Sequence, residues 1–294
     1  LAESPRTKLM KTLITGSSGF IGRALLKQNL TGDLHVTSRV STSLPVGITG
    51  HFGDLSDQEF LKYLAEQEFE QVIHLAWEGL PNLSEENNLR NLEISKKILE
   101  ILASSGVEDF QIAGSCLEYG DKTGQVNEEV IGENLSDFAD TKIKLLEFVA
   151  GLGVAYKWHR IFYSYGPFQH DNSLLPSAFL SAKNGVSLKL SNPNISRDFV
   201  YVDDVAKAMS QLIETPGVSG IFNIGSGKGT LVKDLVDALN SKMGLEIQDQ
   251  VVEENSALTA DIKKITETCG WTPDVSIEQG VKKFVDWKDL GTRE

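Results

Sequence analysis

Gly16-Ser17-Ser18-Gly19-Phe20-Ile21-Gly22 sets three glycines in a turn between the apolar run Thr12-Leu13-Ile14-Thr15 and a helix-periodic segment from Phe20 to Leu30. Without a Cβ, such a turn lets backbone N–H groups approach a ligand closely, and the helix that starts there adds the positive end of its dipole. Strand, glycine turn and helix in that order suit the pyrophosphate of a dinucleotide, with Gly16, Ser18, Gly19, Phe20, Ile21 and Gly22 as its expected contacts. A tight turn with no ligand is the plainer alternative, and the flanking strand and helix weigh against it.

An NAD ribose usually meets a carboxylate near the end of the second strand, yet that stretch reads His35-Val36-Thr37-Ser38-Arg39. The guanidinium of Arg39 matches the geometry of a 2′-phosphate, and the hydroxyl of Ser38 can add a hydrogen bond. NADP is therefore the expected cofactor, with NAD as the alternative. A solvated loop cation is the competing reading of Arg39.

These residues need a frame, and the chain alternates strand-like and helix-like segments. Strands fit Leu34 to Ser38, Gln71 to Ala76, Asp109 to Ala113, Val154 to Phe162 and Ile221 to Ile224. Ser56 and Glu59 form a capping-box pattern opening a helix toward Gln67, and Ser276 with Gln279 forms another before the last helix. Leu89, Leu92, Ile98, Leu99 and Leu102 mark one face of a long helix, and Asp137 to Leu152 and Thr230 to Met243 also read as helices. Residues Phe168 to Asn194, rich in Pro, Asn and Ser, read as irregular, and Asp198 to Val202 as a strand. The expected fold is α/β: a Rossmann-type doubly wound parallel sheet with a smaller C-terminal α/β lobe for substrate. The first lobe is set at residues 9–167, with part of 198–226 returning to it, and the second mainly at 168–294.

Composition narrows the partners. The 294 residues carry 28 Lys and Arg against 41 Asp and Glu, a formal charge of −13 that opposes nucleic acid and anionic membrane. Hydrophobic residues at 40% and charged residues at 23% suit a globule with a sizeable core. Cys116 and Cys269 lie outside any ligand spacing, and the five histidines show none either, so no metal site is expected. His74, inside a strand, reads as a satisfied core imidazole. The run Leu1 to Lys11 is polar, and no stretch approaches the roughly 18 apolar residues of a membrane span, so a cytoplasmic location is expected.

Beyond the glycine turn stand further blocks: Gly53-Asp54-Leu55-Ser56-Asp57, Val72-Ile73-His74-Leu75-Ala76, Gly114-Ser115-Cys116-Leu117-Glu118-Tyr119-Gly120 and Arg160-Ile161-Phe162-Tyr163-Ser164-Tyr165-Gly166-Pro167. Arg197-Asp198-Phe199-Val200-Tyr201-Val202-Asp203-Asp204, Phe222-Asn223-Ile224-Gly225-Ser226-Gly227 and Gly270-Trp271-Thr272-Pro273 follow. Together they resemble the extended short-chain dehydrogenase/reductase family of nucleotide-sugar epimerases, dehydratases and 4-ketoreductases, over nearly the whole length. The resemblance implies that Asp54 contacts adenine and that Leu55, Leu75 and Ala76 line the dinucleotide. It gives Ser115 the catalytic hydroxyl slot, Asn91 a supporting place on the long helix and Arg197 the diphosphate of a nucleotide sugar. Asn172 falls where such proteins build the sugar pocket. It further implies a homodimer through the helices near Leu89 to Leu102 and Phe138 to Leu152.

The family's YxxxK pair reads here Phe138-Ala139-Asp140-Thr141-Lys142. In the family, the tyrosine exchanges a proton with substrate while the lysine holds ribose and lowers the tyrosine's pKa. Lys142 is in place, and Phe138 has no hydroxyl to exchange. Three readings follow, in order of preference: an engineered Tyr→Phe change that traps a complex by silencing an enzyme, a natural enzyme with another proton donor such as Ser115, Cys116 or water, and a natural dinucleotide-binding sensor or scaffold without chemistry. Reduction of a 4-keto-6-deoxy nucleotide sugar in surface-polysaccharide synthesis is the expected activity. An epimerase or dehydratase that retains NAD is the alternative.

Overall fold

A computed structural model describes residues 10–41, 43–81, 83–190, 192–244, 247–249 and 257–291. The polar run up to Leu9, including the expected start of the first lobe, lies outside the described residues. In chain order the first half holds β1 (Lys11–Thr15), α1 (Phe20–Leu25), β2 (Asp33–Ser38), β3 (Ile48–Phe52), α2 (Gln58–Ala65), β4 (Gln71–His74), α3 (Glu85–Ser104), β5 (Asp109–Ser115), β6 (Gly124–Val126), α4 (Asp137–Ala150) and β7 (Ala155–Ile161). There follow β8 (Tyr163–Tyr165), α5 (Leu174–Lys183), β9 (Leu188–Leu190), β10 (Ser196–Arg197), β11 (Phe199–Tyr201), α6 (Val202–Ile213) and β12 (Gly220–Ile224). The chain closes with β13 (Thr230–Leu231), α7 (Val232–Met243), β14 (Ile247–Asp249), β15 (Leu258–Ala260), α8 (Lys263–Cys269) and α9 (Ile277–Asp289).

Seven parallel strands form the central sheet in the order β12-β7-β5-β4-β1-β2-β3. The winding reverses between β1 and β4, and that switch point opens a crevice at the carboxyl ends of the strands. Helices cover both faces, so the inner strands are apolar on both sides. Ile14 packs with Ala24, Leu25, Ala206 and Trp271 on one face. The neighbouring Leu13 packs with Leu99, Phe110 and Leu145 on the other. A third core of Tyr165, Phe179, Leu235 and Phe284 gathers α5, α7 and α9. The doubly wound parallel sheet is thus present as expected from the strand and helix rhythm.

Several local expectations are corrected. Helix α1 stops at Leu25, because Lys27 and Gln28 turn back with shorter i→i+3 bonds to Ala24 and Leu25. Asp57, not Ser56, caps α2: its carboxylate accepts from the Glu59 N–H, while the Ser56 hydroxyl donates to Asp54 Oδ1 at 2.7 Å. The stretch 168–194 is not irregular throughout, since it contains α5 and β9. Pro176 disguised that helix, yet it occupies the third helical position, where no intrahelical partner awaits its missing N–H. β3 was also missed, and the strand expected over 198–202 is confined to Phe199–Tyr201 before α6 begins. Leu89 is exposed on α3, whereas Leu92, Ile98, Leu99 and Leu102 are buried. The box of Ser276 and Gln279 at α9 is present as read.

Candidate active site

At the switch point the glycine turn leaves β1 and enters α1. Gly16 has φ +70°, and a Cβ there would lie 2.6 Å from the Ala76 nitrogen after β4. A Cβ on Gly22 would press 2.7 Å from the Ser17 Cα, so no side chain fits at either position. Gly19 caps α1 with no side-chain hydrogen bond, leaving the first N–H groups of the helix open to a ligand.

These residues form one wall of a groove of about 630 Å³. Gly16, Ser18, Gly19, Phe20, Ile21, Gly22, Ser38, Arg39, Asp54, Leu55, Leu75 and Ala76, all expected at the dinucleotide, line it together. The cradle is one a Cβ would fill, so its residues fit an extended dinucleotide. Asp54 accepts from the backbone and hydroxyl of Ser56, which hold its carboxyl below the ordinary range. Arg39 is mostly exposed and pairs with Glu78 at 2.9 Å, while Arg90 approaches the same carboxylate at 3.6 Å. His74 is buried, with its ring nitrogens 2.8 Å from the Thr15 hydroxyl and 2.9 Å from that of Ser95. Burial pulls it down to about 3, so it is neutral at pH 7.

The loop that follows β4 falls within the run His74-Leu75-Ala76-Trp77-Glu78-Gly79-Leu80-Pro81, which resembles 4-keto-6-deoxy-sugar reductases in sequence but gave its last residues no individual roles. Trp77, Glu78 and Gly79 also line the groove. Asn91 on α3 clamps this loop, accepting from the Glu78 N–H at 2.7 Å and donating to the Glu78 carbonyl at 3.0 Å. The Trp77 indole meets Phe138 edge to face, ring centroids 5.7 Å apart, and covers the Lys142 ammonium at 3.5 Å from the ring centre. Lys142 also donates to the Ala113 carbonyl at 2.9 Å, on the β5 end that reaches the groove. Both Phe138 and Lys142 are buried behind this roof, outside the groove lining. Burial lowers the Lys142 ammonium to about 7, with the Glu118 carboxylate opposing the fall. Aromatic roofs of this kind carry no sequence signature beyond a lone Trp in a loop.

Ser115 ends β5 and its hydroxyl accepts from the Leu117 N–H at 3.2 Å. Below it, Glu118 is fully buried and accepts from the Ser115 N–H at 2.7 Å, from Arg160 Nε at 2.9 Å and from Trp158 Nε1 at 3.0 Å. Gly114 is required there, because a Cβ would collide with Trp158 and with Glu118. Arg197 on β10 holds its guanidinium over the Tyr163 ring, 5.1 Å from its centre. Ser115 and Arg197 do not line the groove, and neither does Asn172, which is exposed; Phe168 and His170 of the same loop do.

Residues 12–225 match the NAD-dependent epimerase/dehydratase family. The chain belongs to that family. Among curated family members, a dTDP-4-dehydro-6-deoxyglucose reductase of Escherichia coli is 25% identical, the alignment covering 93% of this chain and 96% of the relative. A UDP-glucose 4-epimerase of Thermotoga maritima, solved with UDP-glucose, is 25% identical with a TM-score of 0.82, covering 96% of this chain and 99% of that one. MoeE5, solved with UDP-glucuronic acid and NAD, shares the fold at a TM-score of 0.84 and 22% identity, covering 95% and 99% of the two chains. Members of the family thus include nucleotide-sugar reductases and epimerases, in agreement with the blocks read from the sequence. Among the described residues, no helix is long and apolar enough to cross a membrane.

Proposed function

We propose that this family member is an NADP-dependent oxidoreductase acting on the hexose of a nucleotide diphosphate sugar, and that it reduces a 4-keto-6-deoxy sugar for surface-polysaccharide synthesis. The observation that carries the reading is the course of the groove. It runs from the glycine turn past Ser38, Arg39 and Asp54 to Trp77 and Ala113, where Lys142 lies one side chain behind. When bound, the nicotinamide cofactor supplies the two electrons exchanged with the sugar carbon. The chain's own residues do the rest: the glycine turn receives pyrophosphate, Ser38 and Arg39 the 2′-phosphate, Asp54 the adenine end, and Lys142 the ribose. Ser115 orients the sugar oxygen from the end of β5, and Arg197 takes the sugar's diphosphate, with Asn172 assigned to the same pocket. This division rests on a dinucleotide lobe ending near residue 167 and a substrate lobe beyond it, joined as a homodimer through α3 and α4.

A second reading has one observation in its favour. Glu78 already holds the Arg39 guanidinium, so a 2′-phosphate must compete for it, which favours NAD retained by an epimerase or dehydratase. The two readings separate on the cofactor that remains after purification and on stoichiometric consumption of NADPH. The decisive experiment follows nicotinamide fluorescence in the protein and its Phe138→Tyr variant with NADPH or NADH and a panel of nucleotide 4-keto-6-deoxy sugars. Turnover by either protein supports the reductase. Sugar binding without turnover in both supports the epimerase, and dinucleotide binding without any sugar binding supports the sensor.

A further inference from the structure

Oxidation or reduction at a sugar carbon requires a group that exchanges a proton with the sugar oxygen, and Phe138 offers none. On the reading above, the replacement belongs at the carboxyl ends of β4 and β5, beside the end of the groove. The thiol of Cys116 is buried and pushed far up by that burial. The rings of His74 and Tyr163 are committed elsewhere, His74 to Thr15 and Ser95, and Tyr163 beneath the Arg197 guanidinium, with burial raising its phenol to about 12. The Ser115 hydroxyl can relay a proton but holds none that it releases readily near neutral pH. His170 reaches the groove on the loop of Phe168, whose ring is stacked under Arg23 of α1 at 4.5 Å, toward the glycine turn.

Lys142 stands apart from all of these. Its ammonium has three N–H bonds, and among the described residues it meets one oxygen acceptor, the Ala113 carbonyl, and two aromatic faces, that of Trp77 at 3.5 Å and, more distantly, that of Phe138 at 5.7 Å. Among the described residues it has no ion pair with a carboxylate, so nothing fixes its proton in place. Ala113 and Trp77 both line the groove, so the two groups that hold Nζ stand at its wall.

We infer that Lys142 is the proton-exchanging residue of this site, standing in for the hydroxyl that Phe138 lacks, and that the Trp77 indole keeps the place of the ligand oxygen until the ligand displaces it. The inference rests on the proposed oxidoreductase function. In reduction, the carbonyl carbon would receive a hydride, one proton with two electrons, which the nicotinamide cofactor would supply. The C=O π bond breaks, a C–H bond forms, and the oxygen takes a proton from Nζ. The products are the alcohol, the oxidised cofactor and a neutral amine, which regains its proton from water. The titratable groups facing Nζ are Glu118 beneath β5, which favours the charged form, and the neutral His74 on β4. Burial wins over Glu118 and brings the amine to about 7, where a proton can be both held and released.

Reduction then requires the protonated amine, so kcat/KM of the unmodified protein falls tenfold per pH unit above about 7. Without substrate, pH-dependent reductive methylation read by peptide mass spectrometry shows Lys142, opened by cofactor binding, reacting with a midpoint far below that of the surface lysines. Lys142→Arg keeps a cation for the ribose but cannot give up its proton. It retains cofactor affinity within about threefold and loses at least about 100-fold in kcat. A flat profile to pH 9, a Lys142→Arg variant keeping a tenth of the parent kcat, or turnover that begins only with Phe138→Tyr overturns the inference. Failure of every variant to bind a nucleotide sugar instead overturns the functional reading and takes this inference with it.

Discussion

Replacing Lys142 by Met stabilises the cofactor-free protein, and the gain depends on pH in one direction. Lys142 is 6% exposed, and burial holds its ammonium at about 7 against 10.5 for a free lysine. At about 1.4 kcal/mol for each pH unit between those values, the buried charge costs the native state about 5 kcal/mol. Between the two values the unfolded chain binds a proton that the native chain does not, so the parent gains stability as pH rises through this window. The penalty is complete below pH 7 and gone above 10.5. Methionine fills a similar volume without charge, and it gives up the bond to the Ala113 carbonyl, worth about 1 kcal/mol. The variant is therefore more stable than the parent by about 4 kcal/mol at pH 6. The advantage shrinks steadily and reverses slightly above pH 10.5.

Urea unfolding of both proteins at pH 6, 7.5, 9 and 10 measures this, because every other titrating group is common to the pair and cancels in the difference. Parallel stability curves, or a variant less stable at pH 6, refute the reasoning: either result means that Lys142 is paired or hydrated in the native state.

Three further outcomes are expected. Burial pulls His74 and His159 down to about 3, so the stability they confer is present above pH 6.5 and is lost as pH falls below it. Unfolding free energies from urea titration should fall as pH drops from 6 to 4, by up to about 1.4 kcal/mol per pH unit for each of these rings, with His51, lowered to about 4, adding to the fall and the raised carboxyls of Glu118, Asp198 and Asp204 opposing it; a free energy that does not fall contradicts the burial of these rings. Gly22→Ala presses a methyl group against Ser17 and weakens dinucleotide binding by at least about 100-fold in fluorescence titration, a loss of about 2.7 kcal/mol; unchanged affinity places the dinucleotide elsewhere. Glu78→Gln releases the Arg39 guanidinium and raises the affinity for NADP relative to NAD, and an unchanged ratio removes Arg39 from 2′-phosphate recognition.

What was legible in the sequence is what depends on neighbours along the chain. The glycine turn declares itself because Gly22 must avoid the Gly16 and Ser17 backbone of its own turn and Gly16 takes a positive φ there, constraints expressed as residue type at fixed spacing. The inner strands of the sheet declare themselves because both faces are covered, whereas the half-exposed edge strand β3 does not, and the box at Ser276 does because its partner sits three residues on. Tertiary relations left weaker traces. Asn91 reads as one more polar helix residue until Glu78, thirteen positions away, is found in its grip. Glu118 reads as part of a motif and becomes intelligible only as the shared acceptor for Ser115, Trp158 and Arg160.

The same distinction explains why Phe138 was conspicuous and Trp77 was not. A missing hydroxyl in a spaced pair is visible as a departure from pattern, whereas the side chain that fills the consequence lies 61 residues earlier in a loop. Their meeting changes what the lysine can be. In the pattern as read, the cation supports a phenol; here it lies 3.5 Å from the centre of the Trp77 ring and 5.7 Å from that of Phe138, with one carbonyl as acceptor among the described residues. A charge buried that way costs the native state several kcal/mol, and an indole face returns only about 1–2 kcal/mol of it. A fold under no other demand would put methionine or leucine there. The arrangement makes energetic sense when a ligand that brings its own oxygen atoms completes the coordination of Nζ, so that binding relieves a cost already present in the empty protein.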